Sequence, residues 1–185
     1  MLQFFNHRHN RKVPLEKNTV INGQGLGEVS RMRYGFFPMS YNGCEMIALH
    51  NSIVLLGGES DLSEVCREMY MRCQALSGLF GSVPTLLGSF YRRRGIPYRM
   101  TRGYDDFFDN LDRTPVSVVS FWNMPKRPWN GIHTVTIQSL GSGSFRIYNR
   151  SNRSGEPVDY GSREEFIPKK SYFICGYLIR EDSDG

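Results

Sequence analysis

A chain of 185 residues holds about one domain with a single sizeable core. Lys and Arg number 23 against 18 Asp and Glu, and a net charge of only +5, scattered along the chain, argues against a dedicated nucleic-acid binder. No apolar run approaches the ~18 residues of a membrane span, and MLQFFNHRHNRKV lacks the apolar centre of a secretory signal, so a cytoplasmic protein is expected.

Residues 1–43 show little hydrophobic periodicity and are rich in Gly, Asn and Arg, which predicts an extended, loop-rich lead-in. Its basic residues Arg8, Arg11 and Lys12 read as a solvated arm, and His7-x-His9 has no further ligands at metal spacing. Neither a metal nor a cofactor is expected. A helix is predicted from Cys44 onward, apolar on nearly every side and therefore buried, stopping at Gly57-Gly58. Ser60 or Asp61 caps a second helix to about residue 76, with Glu64 close to a capping-box position. Cys66 and Cys73, seven apart, share its buried face as core thiols. Val83-Pro84 opens a third helix that ends at Arg92-Arg93-Arg94-Gly95, its cations opposing the helix dipole.

The second half changes character. Pro115–Phe121, His133–Leu140, Phe145–Asn149 and Tyr172–Ile179 read as strands, the last enclosing Cys175, and a short helix is expected at Ser162 with Glu165 completing its cap. Helices first and antiparallel strands second define an α+β fold. The expected organisation is one domain over 1–185: a lead-in at 1–35, a helical half at 36–110 and a strand half at 111–180.

Three residues bring chemistry to this layout. Cys44 follows Asn42-Gly43 at the start of the most apolar helix, where the dipole and free N–H groups favour a thiolate. His133 opens a strand after Gly131-Ile132 and shares a face with Val135 and Ile137. Asn149 ends the next strand, and the even separation 149 − 133 = 16 sets it opposite His133 across a three- or five-residue loop centred on Gly141. Together they supply a thiol nucleophile, a base and an orienting group, in the helix-then-sheet layout of papain-like enzymes.

The segment YNGCEMIALHNSIVLLG resembles the nucleophile helix of the bacteriocin-processing (double-glycine leader) peptidases. GIHTVTI followed by FRIYN resembles that family's histidine strand and its Asp- or Asn-bearing strand. GSVPTLLGSFYRRRGI and SREEFI are similar to the intervening helix and to the segment before the last strand, in matching order over about residues 36–180. The resemblance implies a papain-like fold, a bacterial hydrolase acting on a peptide or protein substrate, and Cys44, His133 and Asn149 as nucleophile, base and orienter.

The pattern departs from the family in three places, the least of them Asn149 where leader peptidases commonly carry an aspartate. Cys44-Glu45-Met46 replaces Cys-Gly-Pro, and Pro38 occupies the position of the Gln that donates to the oxyanion. Asn42, Ser40 or the Cys44 main-chain N–H remain as donors, Asn42 first among them, while Gln24 lies far upstream. Tyr41, Trp122 and Trp129 are candidate walls of a substrate groove, the two tryptophans flanking MPKRP ahead of His133. The alternatives are a catalytically inactive peptide-binding or interaction module with the same fold, and another thiol acyl-transfer enzyme.

Overall fold

The structure is a computed structural model, and it describes residues 1–73, 81–123 and 131–180. A helix, α1 (Leu2–Asn10), opens the chain where a loop was expected. It carries no apolar stripe. Its buried residues are Asn6 and Asn10, whose amides donate to the carbonyls of Gly35 and Arg33, while Phe4 and Phe5 stay exposed. One 3-10 turn and a minimal hairpin of β1 (Arg33–Tyr34) and β2 (Phe37–Pro38) lead into α2 (Met39–Asn42) and α3 (Cys44–Leu55).

Every residue of α3 from Cys44 to Ile53 is buried, as its composition foretold, and Gly57 at φ 76° terminates it. Its polar positions fasten the lead-in. Asn51 exchanges two hydrogen bonds with the Ile21 main chain (2.9 and 2.8 Å), and His50 bonds Ser60 Oγ (2.8 Å) and the Thr19 carbonyl (2.9 Å). Asp61 caps α4 (Leu62–Cys73) by accepting from Ser63 N at 2.8 Å, and Cys66 and Cys73 are buried free thiols. The third predicted helix is a 3-10 turn at Pro84–Leu86 followed by α5 (Gly88–Arg93); Arg93 and Arg94 pair with Glu68, and Arg92 donates to the Tyr98 hydroxyl.

Six strands complete the fold: β3 (Tyr98–Thr101), β4 (Val116–Trp122), β5 (Ile132–Gly141), β6 (Ser144–Tyr148), β7 (Val158–Tyr160) and β8 (Phe173–Ile179). They lie in the order β3-β8-β4-β5-β6-β7, with antiparallel pairing throughout, which is the α+β arrangement expected. Two further short helices, α6 (Tyr104–Asp109) and α7 (Arg163–Phe166), follow β3 and β7; Ser162 caps α7 and accepts from Glu165 N.

The sheet separates two cores. Val116 and Val118 of β4 pack with Met46, Ile47 and Leu49 of α3, while Val119 and Phe121 face Phe107 of α6 and Phe166 of α7. Each such side chain contributes roughly 1.5–3 kcal/mol on full burial, so the alternation along β4 and β5 locks the register. The β5–β6 hairpin turns over Ser142-Gly143, both at positive φ (56° and 78°), with a bulge between Ser139 and Gly141. This two-residue turn replaces the loop expected around Gly141. Thr136 pairs with Tyr148, so the register runs on toward Val135, and not His133, opposite Asn149; the expected opposition of His133 and Asn149 is not realised, and His133 lies two residues further along the same face.

Candidate active site

Cys44 is the first residue of α3, and Gly43 makes its placement possible. A Cβ on Gly43 would stand 2.1 Å from Met39 Sδ and 2.6 Å from the Met39 carbonyl, so α2 and α3 meet only across glycine. The thiol lies against β5, where the main chain of Thr134, neighbour of His133, pulls its pKa down together with the Glu45 main chain. Burial outweighs both and holds the thiol well above its ordinary range. The Glu45 carboxylate reinforces burial, its Oε2 accepting from Cys44 Sγ at 3.2 Å. The thiolate expected from the helix dipole is therefore not the resting state. Glu45 itself is buried beside Gly81, and desolvation lifts its carboxyl to about 7.

His133 stands at the second residue of β5, its ring edge-on to Phe121 with centroids 5.9 Å apart. Its Nε2 bonds the main-chain carbonyl of Asn149 at 2.8 Å. A carbonyl only accepts, so Nε2 carries the proton and the lone pair of the neutral ring sits on Nδ1, the tautomer a base requires. Burial lowers the His133 pKa to about 4, with the charge of Arg150 acting in the same sense and the Asn149 carbonyl against it. Imidazole and thiol are both neutral at pH 7.

Asn149 orients His133, but through its main chain. Its side chain turns to Gln24: Oδ1 accepts from Gln24 N at 3.1 Å and Nδ2 donates to Gln24 Oε1 at 3.0 Å. Gln24 Nε2 in turn donates to the carbonyls of Ser40 (3.0 Å) and Met39 (3.3 Å), in α2 just ahead of α3. The structure thus joins His133 to Asn149 and sets Cys44, in α3, against the Thr134 main chain of the strand that carries His133, while the Cys44 thiol bonds Glu45 and not His133. Sequence reasoning named Glu45 only as a departure from Cys-Gly-Pro and set Gln24 aside as too far upstream, and missed what each touches. The first was signalled only by a carboxylate inside an apolar run, and the second by nothing local.

The remaining candidates spread out. Asn42 is buried and its Nδ2 donates to the Tyr34 carbonyl at 3.5 Å; Ser40 supplies carbonyl acceptance to Gln24 and Asn152. Tyr41 is 60% exposed, its ring tilted against Phe37, and Trp122 is 41% exposed at the end of β4; Trp129 lies outside the described residues. His7 faces Glu64 and His9 the Arg31 carbonyl. Among the described residues there is no cluster of three His, Cys, Asp or Glu fit for a metal ion, and no helix long and apolar enough to cross a membrane.

No protein-family model matches the sequence, and neither does any curated protein. Solved structures do. The chain is similar to the peptidase domain of Streptococcus ComA, a bi-functional ABC transporter involved in a quorum sensing pathway, at 14% identity and a TM-score of 0.56, covering 76% of this chain and 93% of that one. The peptidase domain of Streptococcus mutans ComA in complex with a small-molecule inhibitor also matches, at 14% identity and a TM-score of 0.47 over 75% of this chain and 92% of that one. The first likeness establishes the fold: the chain has the architecture of that peptidase domain, helices packed on an antiparallel sheet, as the sequence led us to expect.

Proposed function

We propose that the chain is a single-domain, cytoplasmic papain-like cysteine peptidase of bacterial type, acting on a peptide or protein with Cys44 as nucleophile, His133 as base and Asn149 as orienter. The observation that carries this reading is the meeting of α3 and β5, where the first residue of the nucleophile helix lies against the chain neighbour of a histidine already held in the basic tautomer. In the reaction His133 Nδ1 takes the thiol proton as Sγ adds to the substrate carbonyl carbon. The C–N bond then breaks, the imidazolium returns the proton to the departing amine, and a thioester remains. Water adds to the thioester, its proton passing through His133 to the leaving thiolate, and the acid product departs. Reaching that state requires the thiol to leave Glu45 for His133.

A second reading, an inactive peptide-binding module, is favoured by one observation: the buried Cys44–Glu45 bond, which holds the thiol protonated. Iodoacetamide labelling mapped by peptide mass spectrometry, over pH 5–9, separates the two. A peptidase labels at Cys44 ahead of Cys66, Cys73 and Cys175, at least tenfold slower in His133→Ala. Labelling of Cys44 no faster than the other three thiols, and indifferent to His133→Ala, establishes the module and ends the peptidase reading.

A further inference from the structure

Gln24 ties together parts of the chain that share no secondary structure. Its side-chain nitrogen donates to the carbonyls of Ser40 and Met39 at 3.0 and 3.3 Å, and Met39 in turn accepts from Gly43 N at 2.9 Å, one residue before Cys44. Its side-chain oxygen and main-chain N–H grip both ends of the Asn149 amide, at 3.0 and 3.1 Å. Asn149 needs this grip. It sits in the left-handed region at φ 58°, past the end of β6, with its N–H given to Asn22 Oδ1 at 2.7 Å in place of a strand neighbour. From that position its carbonyl meets His133 Nε2 at 2.8 Å. Both amides are buried, so each unmet donor or acceptor costs its desolvation.

We infer that Gln24 is a positioning residue: clamped between the Met39–Ser40 carbonyls and the Asn149 amide, it fixes the Asn149 carbonyl that holds the His133 ring. The inference gives the peptidase reading its second support for His133 and rests on that reading for its catalytic meaning. Gln24 touches no reacting atom; it acts through Asn149. Pro38, at the place of the family's Gln, leaves this role untouched, because Gln24 spends its donors on carbonyls of its own chain.

The test is the NMR titration of the His133 ring proton, assigned by its loss in His133→Gln, in the wild type, Gln24→Ala, Asn149→Ala and the double variant. The charged neighbour acting on the ring, Arg150, is retained in all four. Loosening the carbonyl removes a contact that favours the charged ring, but releasing the clamp also admits water and relieves the larger penalty of burial, so each single substitution raises the His133 midpoint by one unit or more, a tenfold change in proton affinity. Because both act through one amide pair, the double variant moves it no further than either alone. A midpoint unmoved in Gln24→Ala while the melting temperature falls, or additive shifts in the double variant, overturns the inference. Should Gln24→Ala fail to fold, Gln24→Met fills the volume without the amide; failure of both beside a folded Asn149→Ala makes Gln24 a packing residue and also overturns it. Cys44 labelling in the same proteins keeps the two readings apart. Indifference to His133→Gln ends the peptidase reading and leaves the clamp standing, whereas an unmoved His133 midpoint ends the clamp alone.

Discussion

The thiol side and the imidazole side of this site are built by opposite means. Cys44 is placed by close packing: a glycine contact with Met39, an all-buried helix, and a single carboxylate at the sulfur. His133 is placed by a relay of amides from Asn149 through Gln24 to Ser40, with aromatic rings on its flank. The two sides are also shifted in opposite senses, since burial raises the pKa of a carboxyl on one and lowers that of an imidazole on the other. Packing is unforgiving of volume, whereas a polar relay is unforgiving of a missing partner.

The largest effect that sharpens this contrast is in stability against pH. Glu45 has a folded pKa of about 7 against an ordinary 4.5, so its contribution is complete below pH 4.5 and is lost as pH rises through 7. His133, at about 4 against 6.5, contributes fully above pH 6.5 and loses that contribution as pH falls through 4. Each swing amounts to about 3 kcal/mol, and between pH 4.5 and 6.5 the two slopes cancel. Urea denaturation of Glu45→Gln, compared with wild type at each pH, is expected to show stability gained progressively as pH rises from 4.5 to 7. His133→Gln is expected to show a relative gain as pH falls from 6.5 to 4. Parallel wild-type and variant curves would break the contrast.

Substitution of the supports comes next. Gly43→Ala drives a methyl into Met39 and is expected to cost about 2–3 kcal/mol in urea denaturation. Asn22→Ala removes one acceptor from the Asn149 N–H and is expected to cost about 1–2 kcal/mol by the same measurement. If the order is reversed, the polar side is the rigid one. The smallest effect is at the rim, where Tyr41→Ala and Trp122→Ala change exposed rings and should alter stability by no more than about 0.5 kcal/mol. Peptide turnover by the same two variants then reports whether those rings line a groove.

The same contrast explains what was legible in the sequence. The packed side announces itself: α3 is a block of apolar residues bounded by Gly57, and β4, β5 and β8 are β-branched and aromatic runs. The capping pair Ser162 and Glu165 likewise marked α7. The polar side does not. α1 escaped because it docks by Asn6 and Asn10 reading main-chain carbonyls, which leaves no apolar stripe. β3, with the sequence YRMT, is ordered by its pairing with β8 and not by its own composition. The two-residue turn at Ser142-Gly143 and the bulge before Gly141 together move the hairpin register by two residues from the one expected, a shift alternation cannot reveal, since parity is unchanged. Cys44 and His133 were found by residue type and place in the chain. What each touches, Glu45 in one case and the Asn149 carbonyl in the other, came only with tertiary structure.

The amide relay joins residues far apart along the chain: 125 positions separate Gln24 from Asn149, 127 separate Asn22 from Asn149, and 112 separate Ser40 from Asn152. The β5–β6 hairpin, in contrast, closes over two residues. Closing the long spans costs chain entropy that only an assembled sheet and helix layer can offset, so the relay closes only where that scaffold is present. The placing of the imidazole thus reports on the whole fold: a chain whose lead-in detaches from the sheet gives up the relay with it.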